Sequence, residues 1–312
     1  MLAINVIPPK KVIENNPFIT GETLIAAHRG GKTLNPENTF MAFDASVNEY
    51  NADILEMDLC LTKDEELVVI HNLYINDNCD VEEVTNSDEL YYVSDHTYEE
   101  LLNFNFGYKF VSQDGTKPYE NLVQPNDPNR KEIISQNNLN IVRIEDVFAR
   151  YYESNPNLMY IVEIKNDGDQ GFKAAKILNE LLTEKFPNLH NKTVIGTFHG
   201  SVEDHLKITY QTLMRGASTK GAAGFIITEM LKVNLFNNAT FTCLQIPPVQ
   251  KVSFITLKLD KKYLIDRAHR RNIAVQYWTI NDEEEMIKLL DLGVDAIMTD
   301  NPKLLNEVMN RA

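Results

Sequence analysis

Short apolar runs recur along this chain, most of them separated by amphipathic or polar stretches, and that alternation constrains the fold more than any other feature. Leu24 to Ala27, Asp53 to Leu61, Leu67 to Ile70, Leu158 to Ile164, Thr193 to Phe198, Thr240 to Ile246, Ile273 to Trp278 and Asp295 to Met298 read as strands, with Gln211 to Met214 a weaker one. Helical patterns cover Gly171 to Lys185, Asp260 to Arg271, Asp282 to Leu292 and Pro302 to Met309. Asn35-Pro36-Glu37 is expected to open a further helix, with Asn as N-cap and Pro in the first turn. Strands that alternate with helices pair in parallel, and nearly continuous apolar strands fit a sheet covered on both faces. About eight of them make an α/β fold of the (β/α)8 TIM-barrel type the expectation, ahead of a doubly wound sheet. Neither GxGxxG nor GxxxxGK[ST] occurs, which weakens a nucleotide-binding alternative.

The rhythm breaks once. Residues 73–140 are rich in Asn, Asp, Tyr and Glu and are too long for a plain barrel loop. They are expected to form an insertion after the second strand region, on the face where βα loops build active sites. Residues 1–22 read as an N-terminal extension and 23–312 as the barrel.

Charge and cysteine usage exclude several classes of function. Thirty Lys and Arg against 45 Asp and Glu give a formal charge of −15, a surface that repels nucleic-acid phosphates and anionic lipid headgroups. Any phosphate handled here must meet local positive charge. Cys60, Cys79 and Cys243 are widely spaced and form no CxxC, which argues against zinc fingers and disulfide frameworks and fits a reducing compartment. No run reaches the ~18 uninterrupted apolar residues of a membrane span. A cytoplasmic location is expected, or a membrane-anchored or extracytoplasmic one if a further segment precedes Met1.

The informative residues are polar ones at the ends of apolar runs. His28-Arg29-Gly30-Gly31 follows the first strand, and His71 ends the run Leu67 to Ile70. Glu56-x-Asp58 and Glu163-x-Lys165 each place two charges on one strand face. Such pairs are often solvated faces, but Leu55, Met57, Val162 and Ile164 make these strands apolar, and buried carboxylates need partners or a metal. Glu56, Asp58 and Glu163 offer hard oxygen donors suited to Mg²⁺ or Ca²⁺. Arg29 offers a planar fork to a phosphoryl group and Lys165 a point charge. His28 and His71 can exchange protons near neutral pH. Together these describe displacement at phosphorus.

The stretches His28-Arg29-Gly30-Gly31, Pro36-Glu37-Asn38-Thr39, Glu56-Met57-Asp58, Val69-Ile70-His71, Glu163-Ile164-Lys165, Trp278-Thr279-Ile280-Asn281 and Met298-Thr299-Asp300-Asn301-Pro302 resemble the glycerophosphodiester phosphodiesterase family. The resemblance runs from about Thr23 to Leu305. It implies a TIM barrel that uses one divalent cation and releases an alcohol from a glycerophosphodiester, leaving glycerol 3-phosphate. By the same resemblance His28 and His71 are the acid/base pair, and Arg29 and Lys165 hold the phosphate. Glu56, Asp58 and Glu163 bind the metal, and Trp278 lines the substrate pocket. Attack by the substrate's own glycerol hydroxyl, through a cyclic phosphate, is the implied route. One departure stands out: the family usually has Asp where this chain has Asn72.

The C-terminal third, with Leu244-Gln245-Ile246-Pro247, is similar to the lysophospholipase D branch. Phe225, Ile226, Ile227, Met230, Leu231 and Phe236 could hold an acyl chain there, or could simply be barrel helix. Two further alternatives remain open: a non-catalytic barrel that binds a phosphodiester, and a lyase that stops at the cyclic phosphate. The expected partner is a small glycerophosphodiester or a lysophospholipid, and no nucleic acid.

Overall fold

The computed structural model describes residues 10–231, 233, 237–252 and 255–311. Its strands are β1 (Leu24–Ala27), β2 (Ile54–Leu61), β3 (Leu67–Val69), β4 (Met159–Ile164), β5 (Thr193–Gly196), β6 (Met214–Arg215), β7 (Cys243–Ile246), β8 (Val249–Val252), β9 (Ile255–Lys258), β10 (Ala274–Tyr277) and β11 (Ala296–Thr299). The helices are α1 (Phe40–Asn48), α2 (Val81–Thr85), α3 (Tyr98–Leu101), α4 (Arg130–Gln136), α5 (Ile144–Tyr151), α6 (Gly168–Glu180), α7 (Gly200–Thr209), α8 (Thr219–Met230), α9 (Lys262–His269), α10 (Glu283–Leu292) and α11 (Pro302–Met309). Among the described residues no helix is long and apolar enough to cross a membrane.

Parallel strands follow the order β6-β5-β4-β2-β1-β11-β10-β7. A parallel bridge from Gly216 to Cys243 joins the two ends of that path. The sheet thus closes into a (β/α)8 barrel, as expected. One expected strand plays a different part. β3 pairs antiparallel with β2, Leu67 opposite Leu61. The turn between them is tight, with Thr62 N–H bonded to the Glu66 carbonyl at 3.0 Å, and so short a connection permits only a hairpin. The eighth place in the barrel falls to the two-residue β6, in the segment whose strand signal was weakest.

The strand period of two sorts the side chains. Leu24, Ala26, Ile54, Met159, Ile161, Val194, Met214, Cys243, Ala274, Ala296 and Met298 form the barrel's inner core. Leu55, Met57, Leu59, Tyr160 and Val162 point outward into the larger core beneath the helices. Phe18, fully buried, joins the inner cluster. Asn16 anchors it by donating through Nδ2 to the carbonyls of Thr242 (2.8 Å) and Asn272 (2.9 Å), which lie just before β7 and β10. The described part of the N-terminal segment therefore closes the end of the barrel opposite the strands' C-termini. Residues 1–9 of that expected extension lie outside the described residues.

Residues 73–140 pack Ile75, Cys79, Val81, Val93, Leu101, Phe104 and Phe106 against Cys60 of β2, Val68 of β3 and Ile70. A buried Arg130–Asp80 ion pair ties α4 to the start of α2. The largest displacement of a helix start from its expected place is at α1. Asn35-Pro36-Glu37 forms turns, and α1 begins later, with Thr39 as N-cap accepting a bond from the Ala42 N–H. Asn38 adopts a left-handed conformation (φ 58°), which ends the turn and resets the chain direction. The starts of α10 and α11 agree with expectation: Asp282 and Asn301 cap them by accepting from Glu285 and Leu304.

Candidate active site

The first strand delivers two of the site's groups through a strained turn. Arg29 is left-handed (φ 52°), and Gly30 and Gly31 follow at φ 76° and 81°. A Cβ on Gly30 would stand 2.8 Å from the Phe43 ring, and one on Gly31 2.8 Å from Pro302 Cδ. Only glycine lets the chain pass between α1 and α11 at this point. The turn leaves His28 and Arg29 at the barrel mouth, where the Arg29 N–H donates to Glu56 Oε2 at 2.9 Å.

β2 supplies the centre of the site. Glu56 and Asp58 share its inner face, and β4 places Glu163 directly opposite Asp58. Lys165 Nζ lies 3.1 Å from Asp58 Oδ1 and 2.9 Å from Glu163 Oε1. Arg29 Nε is 3.3 Å from Asp58 Oδ2, close enough for an ion pair but misaligned for a hydrogen bond, and both atoms lack another partner. The Arg29 fork also meets Glu37 at 3.2 Å. Burial, and then the charge of Asp58, push Glu56 up to about 7. Burial raises Glu163 as well. For Lys165 burial opposes the charge, but Asp58 and Glu163 outweigh it and hold the ammonium above its ordinary range.

Two histidines complete the site. His28 Nδ1 lies 2.5 Å from Asp300 Oδ1, and its Nε2 is 3.8 Å from Glu56 Oε2. Asn281 fixes Asp300 by donating to its Oδ2 (2.8 Å) and accepting from its backbone N–H (2.9 Å). Burial disfavours the charged His28 ring, yet the bond to Asp300 and the charges of Glu56 and Asp300 prevail and raise its pKa. His71 follows β3, held in place by the Ile70 N–H bonded to the Asp58 carbonyl at 2.8 Å. Its Nδ1 lies 2.9 Å from Asn72 Oδ1. Here burial prevails and lowers the pKa, only partly countered by Asp58. Trp278, just past β10, is half-buried and meets the exposed ring of Phe198 edge-on, with 6.5 Å between centroids.

Glu56, Asp58 and Glu163 fit a divalent cation by donor type. They are hard oxygens on adjacent strands, burial disfavours the charged forms of Glu56 and Glu163, and Asp58 Oδ2 has no hydrogen-bond partner. Their oxygens do not converge: among the described residues no three His, Cys, Asp or Glu side chains group to hold an ion. Lys165 Nζ stands between Asp58 and Glu163.

The structure brings His28, Arg29, Glu56, Asp58, His71, Glu163 and Lys165 together, with Trp278 past the end of another barrel strand. Asp300, Asn281 and Glu37 belong with them, although sequence reasoning gave them no role. The suggested acyl-chain segment is barrel helix. Phe225 and Ile226 are buried in the core, while Ile227, Met230 and Leu231 are exposed on or just beyond α8. A helix packed on the barrel buries one face and exposes the other. Phe236 lies outside the described residues.

The sequence and fold have known relatives. The chain is 25% identical over 285 residues to a glycerophosphodiester phosphodiesterase of Bacillus altitudinis, covering 90% of this chain and 95% of the relative. It is 25% identical over 299 residues to a lysophospholipase D of Rattus norvegicus, covering 91% and 85%. Its fold is similar to that of an Oleispira antarctica phosphodiesterase solved with the product sn-glycerol-3-phosphate, with a TM-score of 0.63, 18% identity, and 94% and 99% of the two chains covered. Residues 28–304 match the model of the glycerophosphoryl diester phosphodiesterase family, and the chain belongs to that family.

Proposed function

We propose that this protein hydrolyses small glycerophosphodiesters, such as glycerophosphocholine, to an alcohol and glycerol 3-phosphate. The observation that carries this reading is the meeting of Arg29 and Lys165 on Asp58, whose charge acts on the His71 ring, while the His28 ring lies by the neighbouring Glu56. Two cations face one spot in a chain of net −15, the place where a phosphodiester anion is held. His71, kept neutral by burial, takes the proton from the substrate's glycerol 2-hydroxyl as its oxygen attacks phosphorus. His28, whose pKa is raised, gives a proton to the departing alcohol oxygen. Water then opens the cyclic phosphate with the two roles exchanged, which restores both rings. Trp278 covers the apolar side of the glycerol.

One divalent cation, Mg²⁺ or Ca²⁺, would be held by Glu56, Asp58 and Glu163 and would supply charge stabilisation to the phosphoryl oxygens. The test is a panel of glycerophosphocholine, glycerophosphoethanolamine, glycerophosphoinositol and lysophosphatidylcholine, with and without EDTA. Cation-dependent release of glycerol 3-phosphate is expected. Cyclic phosphate persisting in the phosphorus NMR spectrum would instead identify a lyase, and binding without turnover a non-catalytic barrel. Glu56→Gln should raise the cation concentration needed for half-maximal activity, and an unchanged titration would remove Glu56 from the ligand set.

A lysophospholipid is the second reading, favoured by the exposed Phe198 beside Trp278 and by the rat relative's named activity. Faster turnover of lysophosphatidylcholine than of glycerophosphocholine would establish it.

A further inference from the structure

His71 is backed by a carboxamide, and an amide can face a histidine in either of two ways. Its oxygen accepts from an Nδ1–H, whereas its NH₂ group would donate to a bare Nδ1 and leave the ring proton on Nε2. The surroundings of Asn72 choose between them. Asn72 Nδ2 donates to Asp77 Oδ2 at 2.6 Å, and the Tyr74 hydroxyl donates to the same oxygen at 3.0 Å. Asp77 Oδ2 accepts both bonds, so Nδ2 faces Asp77 and Oδ1 faces His71. Asp77 is exposed, but its turn is fixed. Ile75 is fully buried and accepts from the Asn78 N–H at 3.1 Å, and Asn78 Nδ2 reaches Glu37, the partner of Arg29, at 3.2 Å.

We infer that Asp77, acting through Asn72, is a positioning residue that holds His71 in the tautomer with its proton on Nδ1 and Nε2 free to accept. Resting on the proposed role of His71 as base, this assigns to Asp77 at one remove the orienting task that a carboxylate at position 72 would perform directly. Tyr74 keeps Asp77 aimed at the amide.

The test is a mutant cycle read by kinetics and by NMR. Asp77→Ala should lower kcat about fivefold with KM nearly unchanged. In an Asn72→Asp background, where the new carboxylate accepts from His71 directly, the same substitution should cost less than twofold. Long-range ¹H–¹⁵N correlations of the neutral His71 ring should show Nε2 unprotonated in the wild type, and a mixture of tautomers in Asp77→Ala. An equal loss in both backgrounds, or an unchanged tautomer in Asp77→Ala, overturns the inference. Wild-type protein that hydrolyses no glycerophosphodiester, yet whose tautomer is set by Asp77, overturns the phosphodiesterase reading and leaves the inference about the ring standing.

Discussion

The surroundings of His28 and His71 differ in three ways, though each ring presents Nδ1 to a partner. His28 meets a carboxylate, Asp300, at 2.5 Å, has Glu56 on its far side and is largely buried. His71 meets a carboxamide at 2.9 Å and is less deeply buried. A charged acceptor stabilises an imidazolium and a neutral one does so far less. The pKa of His28 is accordingly raised and that of His71 lowered. Two like residues are thus set apart by their neighbours, the arrangement that the proposed acid and base roles require. Asn72 therefore serves the contrast: an aspartate there would bring the two rings closer in proton affinity.

The most severe way to break this comparison is to remove either ring. His28→Ala and His71→Ala should each cut kcat by roughly 10²-fold or more, and retention of most activity by either variant would end the acid/base assignment. Exchanging only the acceptor should matter less. Asp300→Asn is expected to lower kcat about tenfold, since charge-assisted bonds are roughly twice as strong as neutral ones. Asn72→Ala should lower it about fivefold. If the two losses came in the reverse order, the difference between the rings would not lie in their acceptors.

The pH profile sharpens the same contrast. A base must be unprotonated and an acid protonated, so kcat/KM should rise through the pKa of His71, below the ordinary 6.5, and fall through that of His28, above it. Asp300→Asn should move the alkaline limb to lower pH and leave the acidic limb in place. Asn72→Asp should move the acidic limb upward. A shift of both limbs together in either variant would mean that the rings are not independently tuned.

Much of the site is legible in the sequence because strand geometry is local. Glu56 and Asp58 share a face through the period of two, and apolar neighbours show that the face is buried. The glycines after Arg29 likewise announce a tight turn. Asp300 is hidden for the opposite reason: its partner lies 272 positions away in sequence, and only closure of β1 against β11 brings the two together. Asn38 shows a further limit. Its left-handed conformation displaces a helix start that Asn35 and Pro36 would otherwise have made, because the turn must bring the Asn38 N–H to the Arg29 carbonyl at 3.0 Å. Phe18 and Asn16 are equally silent, since nothing local marks a segment that closes the far end of a barrel.

The smallest expected effect concerns stability, and it separates the two rings once more. The raised pKa of His28 means that its pairing stabilises the fold fully below the unfolded pKa of about 6.5 and is lost as pH rises through the folded value. Asp300, whose pKa the His28 bond lowers against the effect of burial, contributes above its unfolded value of about 3.8, and that contribution is lost as pH falls through the folded one. The pair is therefore strongest between about pH 4 and 6.5. Thermal unfolding of wild type and Asp300→Asn should differ by about 2 °C in that window and converge at higher pH. His71 predicts the opposite slope: with its pKa lowered, the folded state resists protonation, so its contribution favours the fold above about pH 6.5 and weakens below. Asn72→Asp should flatten that slope. A Tm difference for Asp300→Asn that does not change with pH would show the pair to be mere packing, and would leave the contrast between the two rings without its electrostatic cause.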